Sequence, residues 1–187
     1  MISLFRYFRS IHPLSEALRD HLEDIVKEKK LTRRDYLLKA GQVCGNIYFV
    51  EKGLLRSYYV SEGREISSGF MKEGDICISA ASFFTQKHSR ENIQALEDSV
   101  VSSISYEELQ RIYRDYKEFD KIGRILTEKC YLLAVERMEG MWMQKSDARY
   151  RWLAKHFPDL LQRIPAKYLA SYLGMTEVTL SAIKGRK

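Results

Sequence analysis

The chain has 187 residues, of which 45% are hydrophobic and 30% charged, a composition that suits one large or two small packed domains. No apolar run of about eighteen residues occurs, and Arg6 and Arg9 interrupt the N-terminal segment, so neither a membrane span nor a secretion signal is predicted. Cys44, Cys77 and Cys130 form no C-x-x-C pair and the four histidines are scattered, which favours a reducing, cytoplasmic location and indicates no metal site or cofactor.

The pattern of residues 14–105 changes from helical to β-type. Over residues 14–29 the apolar positions recur at helical spacing, which predicts a helix. These positions are Leu14, Leu18, Leu22 and Ile25. From about Asp35 to Ser105, short β-type runs alternate with glycine or acidic turns, which predicts an all-β roll or barrel. The runs are DYLLKAG, NIYFVEKG, LLRSYYV, EISSGF, DICIS and SVVSSIS.

Beyond Tyr106 the helical period returns. Glu107 and Glu108 open this region, where carboxylates suit the positive end of a helix dipole. A long apolar stripe follows, formed by Phe119, Ile122, Leu126, Leu133, Val135, Met138 and Trp142. Such a stripe is either the simple core of one chain or the seam of a two-helix homodimer.

Residues 164–187 are the most informative segment, since they predict a helix, a turn and a second short helix. Pro165 suits a helix start, Gly174 fits the left-handed position after a helix end, and Thr176 is a good N-cap for the next helix. The inward-facing positions are Leu169, Ala170, Leu173, Leu180 and Ile183. This spacing is typical of the DNA-binding helix-turn-helix, although a plain αα-hairpin shares it.

Charge is concentrated at the same end of the chain. Residues 144–187 carry the whole formal excess of +6, whereas residues 1–143 are balanced. The basic residues are Lys145, Arg149, Arg151, Lys155, Arg163, Lys167, Lys184, Arg186 and Lys187, against Asp147, Asp159 and Glu177. A basic segment of this kind favours a phosphate backbone as partner, with a solvated tail as the alternative. Because a helix-turn-helix usually contacts two half-sites, we expect a homodimer in which Phe119, Ile122, Leu126 and Leu133 face the second copy.

No sequence motif indicates an enzyme. The chain lacks G-x-S-x-G, H-E-x-x-H and G-x-x-x-x-G-K-[ST], and no acid cluster lies beside a histidine. A metal enzyme on a β-roll would need two or three histidines among the strands, where only His88 occurs.

The order of parts resembles the CRP/FNR-type transcription regulators. The run LKAGQVCGNIYFVEKGLLRSYYVSEGREISSGFMKEGD, residues 38–75, is similar to their cyclic-nucleotide-binding β-roll, and residues 93–109 look like its last strands and the following helix. Residues 147–184 resemble their helix-turn-helix domain. The resemblance implies an α+β chain with a double-stranded, jelly-roll-like β-roll at 1–115, a dimerisation helix at 116–143 and a DNA-binding domain at 144–187.

One departure from this family concerns the effector site. In members that bind cyclic AMP, a glutamate holds the ribose and an arginine about ten residues later neutralises the cyclic phosphate. Here Ser79 stands in place of the glutamate and Ser89 in place of the arginine, while Arg90 is expected to point to the other face. With Ser82 these residues mark the candidate effector pocket, which the substitutions predict does not take cyclic AMP.

A second departure lies in the helix expected to read DNA. No arginine, asparagine or glutamine, the usual bidentate readers of bases, stands between Met175 and Ile183. The candidate base contacts are Thr176, Glu177, Val178, Thr179, Ser181 and Ala182. The candidate phosphate contacts are Lys167, Lys184, Arg186 and Lys187.

The sequence therefore predicts a cytoplasmic, homodimeric DNA-binding transcription regulator with an unidentified small-molecule effector and no enzymatic activity. The alternative is a ligand- or partner-binding protein of the same fold whose reading of DNA sequence has decayed.

Overall fold

A computed structural model describes residues 2–143 and 145–185, without the side chains of residues 2, 3 and 143. The chain forms two compact units. The first comprises Met1–Ser57 and Phe70–Glu128, and the second comprises Tyr58–Gly69 and Lys129–Lys187. A short segment from the middle of the sequence therefore groups with the C-terminal part of the chain.

The β-rich part of the chain consists of two four-stranded sheets. The strands are β1 (Lys27–Leu31), β2 (Tyr36–Leu38), β3 (Asn46–Lys52), β4 (Leu55–Ser61), β5 (Arg64–Met71), β6 (Ile76–Cys77), β7 (Asn92–Ala95) and β8 (Ser99–Ser105). Their order is β1-β8-β3-β6 in one sheet and β2-β7-β4-β5 in the other, and the pairs of the first sheet are antiparallel. The predicted β-roll is thereby confirmed.

The helices precede, interrupt and follow the strands. They are α1 (Ile2–Ile11), α2 (Glu16–Ile25), α3 (Ala80–Thr85), α4 (Tyr106–Asp115), α5 (Lys117–Met143), α6 (Ser146–His156), α7 (Pro158–Arg163), α8 (Ala166–Tyr172) and α9 (Glu177–Gly185). As the acidic pair predicted, α4 carries Glu107 and Glu108 in its first turn, and the hydroxyl of Ser105 accepts from the N–H of Glu108 at 3.1 Å. Among the described residues, no helix combines the length and apolar character needed to cross a membrane.

The predicted helix over residues 14–29 is wrong at its C-terminal end. α2 ends at Ile25, and the next residues form the edge strand β1, which pairs with β8 over its whole length. Four of the five β1 residues are exposed, and the strand reads KEKKL. Charged residues are normal on an edge strand because its outer side meets water, so cross-strand pairing overrides the local helical pattern here.

The start of the long helix belongs to the core of the first unit. Phe119 and Ile122 are only 2% and 0% exposed, and Leu126 packs against the same core. The ring of Phe119 meets Phe8 of α1 edge-on, with 5.3 Å between the ring centroids. The expectation that Phe119 and Ile122 face a second copy is therefore wrong, because both side chains are buried in this core, where Phe8 of α1, a helix that the sequence did not predict, packs on Phe119.

The second unit has its own apolar interior, formed by short helices. The buried side chains are Leu153, Leu160, Ile164, Leu169, Leu173 and Leu180. The hairpin tip contributed by β4 and β5 is hydrogen-bonded to α8, since the hydroxyl of Ser171 donates to the carbonyl of Glu65 at 3.0 Å. The hydroxyl of Ser171 also accepts from the N–H of Ser67 at 3.0 Å.

Candidate nucleic-acid interface and effector region

The C-terminal helices α8 and α9 form the predicted helix-turn-helix. They pack on each other, and Leu169 and Leu180 are buried. Between them Gly174 has φ of 62°, a left-handed conformation that glycine adopts without steric cost. The hydroxyl of Thr176 accepts from the N–H of Thr179 at 3.1 Å and so caps α9 as predicted.

One face of α9 is open to solvent. Its exposed residues are Glu177, Val178, Ser181, Ala182, Lys184 and Gly185. The side chain of Val178 is 80% exposed. Lys167 is exposed on α8. The structure thus presents most of the predicted DNA contacts to solvent.

Thr179, one of the candidate base contacts, is less exposed than Glu177 and Val178. It is half-buried, and its hydroxyl oxygen lies 2.9 Å from the hydroxyl of Thr176. The reason is its position three residues after the N-cap, from which a side chain turns back toward the cap. Two further candidates, Arg186 and Lys187, lie outside the described residues.

Two arginines outside the helix-turn-helix donate to the carboxyl end of α8. From α6, Nε of Arg149 donates to the carbonyl of Leu173 at 2.8 Å and Nη2 donates to that of Gly174 at 3.4 Å. From α5, the guanidinium of Arg137 lies 3.8 Å from the ring centroid of Tyr172. The sequence counted Arg149 only as a positive charge and missed Arg137, because their partners lie far away along the chain.

The second half of α5 carries an exposed apolar stripe. Tyr131, Met138 and Trp142 are 68%, 43% and 74% exposed, and Val135 between them is half-buried. The successive spacings of four, three and four residues are those of a two-helix seam. Leu133, which the sequence assigned to such a seam, is exposed as well, although it lies off this stripe.

In the candidate effector region, Ser79 and Ser89 are brought together. They are 2% and 4% exposed, and their hydroxyl oxygens lie 3.0 Å apart. The hydroxyl of Ser79 donates to Oε2 of Glu91 at 2.9 Å, and the hydroxyl of Ser89 accepts from the N–H of Glu91 at 2.9 Å. Glu91 was not found from the sequence, since no motif marks it. The region in which Ser89 replaces the phosphate-binding arginine thus also holds the carboxylate of Glu91.

The other two effector candidates do not join this network through any described hydrogen bond. Ser82 is buried, and its hydroxyl accepts from the N–H of Cys44 at 2.9 Å and donates to the carbonyl of Lys87 at 2.5 Å, so it fastens α3. Arg90 is exposed, whereas the adjacent Ser89 is buried. The two neighbours therefore lie on opposite faces, as the sequence predicted.

The two buried thiols near this region are poor nucleophiles. Burial raises the pKa of Cys44, and burial raises the pKa of Cys77 well above its ordinary value. A thiol that stays protonated is unreactive and packs as a small apolar group. Within the described part of the chain, no group of three or more His, Cys, Asp or Glu side chains is placed to hold a metal ion.

Comparison with known proteins agrees with this architecture. Residues 28–116 match the family model described as a cyclic nucleotide-binding domain. The anaerobic regulatory protein of Haemophilus influenzae is 27% identical over 190 residues, which cover 92% of this chain and 72% of that protein. The fumarate and nitrate reduction regulatory protein of Escherichia coli K12 is 28% identical over 196 residues, which cover 92% and 74%.

A solved structure from Eubacterium rectale assigned to the crp/fnr family shares the fold. It superposes with a TM-score of 0.73 at 19% identity, covering 95% of this chain and 85% of that one. The matches extend over the roll, the long helix and the C-terminal helices in one order. Its fold and its relatives together support a transcriptional regulator of the CRP/FNR type.

Proposed function

We propose that this chain regulates transcription by binding double-stranded DNA as a homodimer, with α9 as the reading helix in the major groove. The observation that carries the proposal is the exposed face of α9, which is polar apart from Val178 and Ala182 and lies opposite the buried Leu180. A helix with one face buried on α8 and the other open fits the groove of B-DNA, which admits a single helix.

The distribution of charge supports phosphate contact. Lys167 on α8 and Lys184 on α9 are both exposed at the helix-turn-helix, and Lys145 is exposed just before α6. Lysine binds a phosphate as a point charge, so these side chains supply affinity that depends on salt but not on sequence. Base selection falls instead to Glu177, Val178 and Ser181, which can meet cytosine amino groups, thymine methyls and base edges.

The homodimer is proposed on the stripe of Tyr131, Val135, Met138 and Trp142. A monomer that leaves such large apolar side chains exposed on one helix face presents a patch that marks an interaction site. The a/d spacing of the stripe suits a second copy of the same helix, related by a two-fold axis. Two reading helices would then contact two half-sites of one operator.

We further propose that the protein is cytoplasmic and non-enzymatic, and that its roll does not use cyclic AMP. The support for the last point is the network of Ser79, Ser89 and Glu91. A cyclic phosphate placed there would meet a carboxylate and two hydroxyls rather than a guanidinium. The effector, if the roll binds one, has another chemistry.

A gel-shift selection against genomic fragments at several salt concentrations tests DNA binding. We expect fragments that are retained in excess non-specific competitor and whose affinity falls with a steep salt slope. Weak binding that is the same for every fragment would favour the alternative, a protein of this fold that binds a ligand or a partner. That alternative is favoured by one observation, the absence of arginine, asparagine and glutamine from the exposed face of α9.

A further inference from the structure

We propose that Arg137 and Arg149 are positioning residues for the reading helix, which hold the carboxyl end of α8 and so set the orientation of α9. The proposal rests on the DNA binding proposed above. It assigns to Arg149 a role other than the phosphate attraction that its charge suggests.

The carboxyl end of a helix is where such arginines find acceptors. The carbonyls of Leu173 and Gly174 directly follow the last residue of α8, and the partial negative charge at the carboxyl end of a helix attracts a cation. The guanidinium of Arg149 donates to the carbonyls of Leu173 and Gly174, at 2.8 and 3.4 Å. Nη2 of Arg149 also lies 3.4 Å from the hydroxyl of Ser146, within its own helix. The guanidinium of Arg149 is therefore engaged in contacts with groups of the protein itself.

Arg137 contacts the same end of α8 from the long helix. Its guanidinium lies over the ring of Tyr172, and Nη2 lies 3.5 Å from the carbonyl of Tyr172. The same nitrogen lies 3.4 Å from the carbonyl of Ser67, in the β4–β5 hairpin. These two distances are long for hydrogen bonds, so stacking on the ring is the main contact.

The hairpin adds a third attachment one residue earlier on α8. The hydroxyl of Ser171 accepts from the N–H of Ser67 and donates to the carbonyl of Glu65, both at 3.0 Å. The carboxyl end of α8 is thus held by α5, α6 and the hairpin within one compact unit. Residues 171–174 are the point where these three contacts meet.

A fixed turn matters because α9 follows it directly. α9 begins at Glu177 and has nine residues, so it is about 13 Å long at 1.5 Å per residue. A rotation of about 10° at the turn would move its far end by about 2 Å, which exceeds the tolerance of a hydrogen bond to a base. Loosening the turn should therefore reduce sequence-specific binding much more than non-specific binding.

Lysine variants separate positioning from phosphate contact. Arg149→Lys and Arg137→Lys keep the charge but lose the planar fork that reaches two carbonyls and stacks on a ring. The matched control is Arg151→Lys on α6, whose side chain is 70% exposed and pairs with Asp147 at 2.9 Å. Each full-length variant is measured for affinity to a selected operator, affinity to random DNA, the salt slope and amide hydrogen exchange of residues 173–176, with circular dichroism as the check on folding.

We expect Arg149→Lys and Arg137→Lys to bind the operator at least tenfold more weakly, with an unchanged salt slope, unchanged binding to random DNA and faster exchange at residues 173–176. Arg151→Lys should match the parent. The proposal is overturned if both lysine variants match the parent in exchange, or if Arg149→Ala lowers the salt slope by about one while Arg149→Lys restores full binding. Hydrogen exchange is measured without DNA. A parent that binds no DNA would therefore refute the proposed function, whereas the exchange rates of residues 173–176 would still show whether the two arginines hold the turn.

Discussion

The hydroxyl of Ser79 donates a 2.9 Å hydrogen bond to the carboxylate of Glu91. By the resemblance to members that bind cyclic AMP, Ser79 stands in place of the ribose-binding glutamate, and Ser89 stands in place of the phosphate-binding arginine. The network is completed by Ser89, which is hydrogen-bonded to both residues. Hydroxyls that are already satisfied in this way gain little from an added ligand.

The first prediction is that calorimetry detects no cyclic AMP binding tighter than about millimolar. Loss of two charge-assisted contacts, each worth roughly 1.5–3 kcal/mol, removes about two to four decades of affinity. Titration of cyclic AMP into the purified protein measures this directly, with the same injections into buffer as the control. Micromolar binding would contradict the prediction and would require another side chain, such as Arg90, to neutralise the phosphate.

The second prediction concerns Ser15, whose hydroxyl accepts from the N–H of Leu18 at 3.2 Å and donates to Oε1 of Glu118 at 2.6 Å. It therefore caps α2 and fixes the first turn of α5. Ser15→Ala should lower the free energy of unfolding by about 1 kcal/mol, the usual cost of a lost N-cap. Urea denaturation of the parent and the variant measures this change in the free energy of unfolding. The matched control is Ser10→Ala, which removes a hydroxyl on α1.

The same contact has a pH dependence with a defined sign. The hydrogen bond from Ser15 lowers the pKa of Glu118 below its ordinary value. A carboxylate with a depressed pKa in the folded state stabilises the protein above its unfolded pKa, and this contribution is lost as the pH falls through the folded pKa. The difference in stability between the parent and Ser15→Ala should therefore shrink on acidification below about pH 4. A difference that grows with acidification would show that Glu118 is not held by Ser15.

The third prediction is that Met138→Glu produces monomers. Met138 lies in the exposed stripe with Tyr131 and Trp142, where a second copy would bury an unpaired charge at considerable cost. Light scattering of the parent and the variant gives the molar mass. Glu136→Lys changes a charge on the other side of α5 and should leave the mass unchanged. A monomeric parent would refute the dimer, and the stripe would then need another partner.

Local patterns in the sequence predict those roles that depend on a single residue. Gly174 and Thr176 fixed the turn and cap of the helix-turn-helix because both roles depend on one residue's own backbone or side chain. The pattern of the long stripe carried no information on which surface covers it. Phe119 and Leu133 look alike in sequence, yet one is buried against α1 and the other is exposed.

The sequence could not predict the contacts between residues that lie far apart along the chain. Nothing in the chain pairs Arg149 with Leu173, or Ser79 with Glu91, until the fold brings them together. The strand β1 was missed for the same reason, because its pairing with β8 is non-local and its own residues are charged. Predictions from propensity are reliable where a role is local and fail where a partner decides it.

The last prediction assigns roles on the reading helix. Lys184→Ala should weaken binding to every DNA sequence alike and lower the slope of log affinity against log salt by about one, since an exposed lysine acts on phosphate. Glu177→Ala and Val178→Ala should instead relax the preference at particular base pairs by roughly 1–3 kcal/mol, leaving the slope unchanged. Thr179→Ala is expected to act through the cap of α9, because its hydroxyl lies against Thr176, and should lower stability rather than shift base preference.

Binding of each variant to a panel of operators with single base-pair changes, at three salt concentrations, measures both quantities. Lys167→Ala on α8 is the matched comparison for Lys184→Ala, since both lysines are exposed on neighbouring helices and should give the same loss of slope. If Glu177→Ala and Val178→Ala discriminate among the operators as the parent does, α9 does not read bases. The phosphate contacts alone would then account for the affinity, and the alternative of a ligand- or partner-binding protein with decayed DNA reading would be the better account.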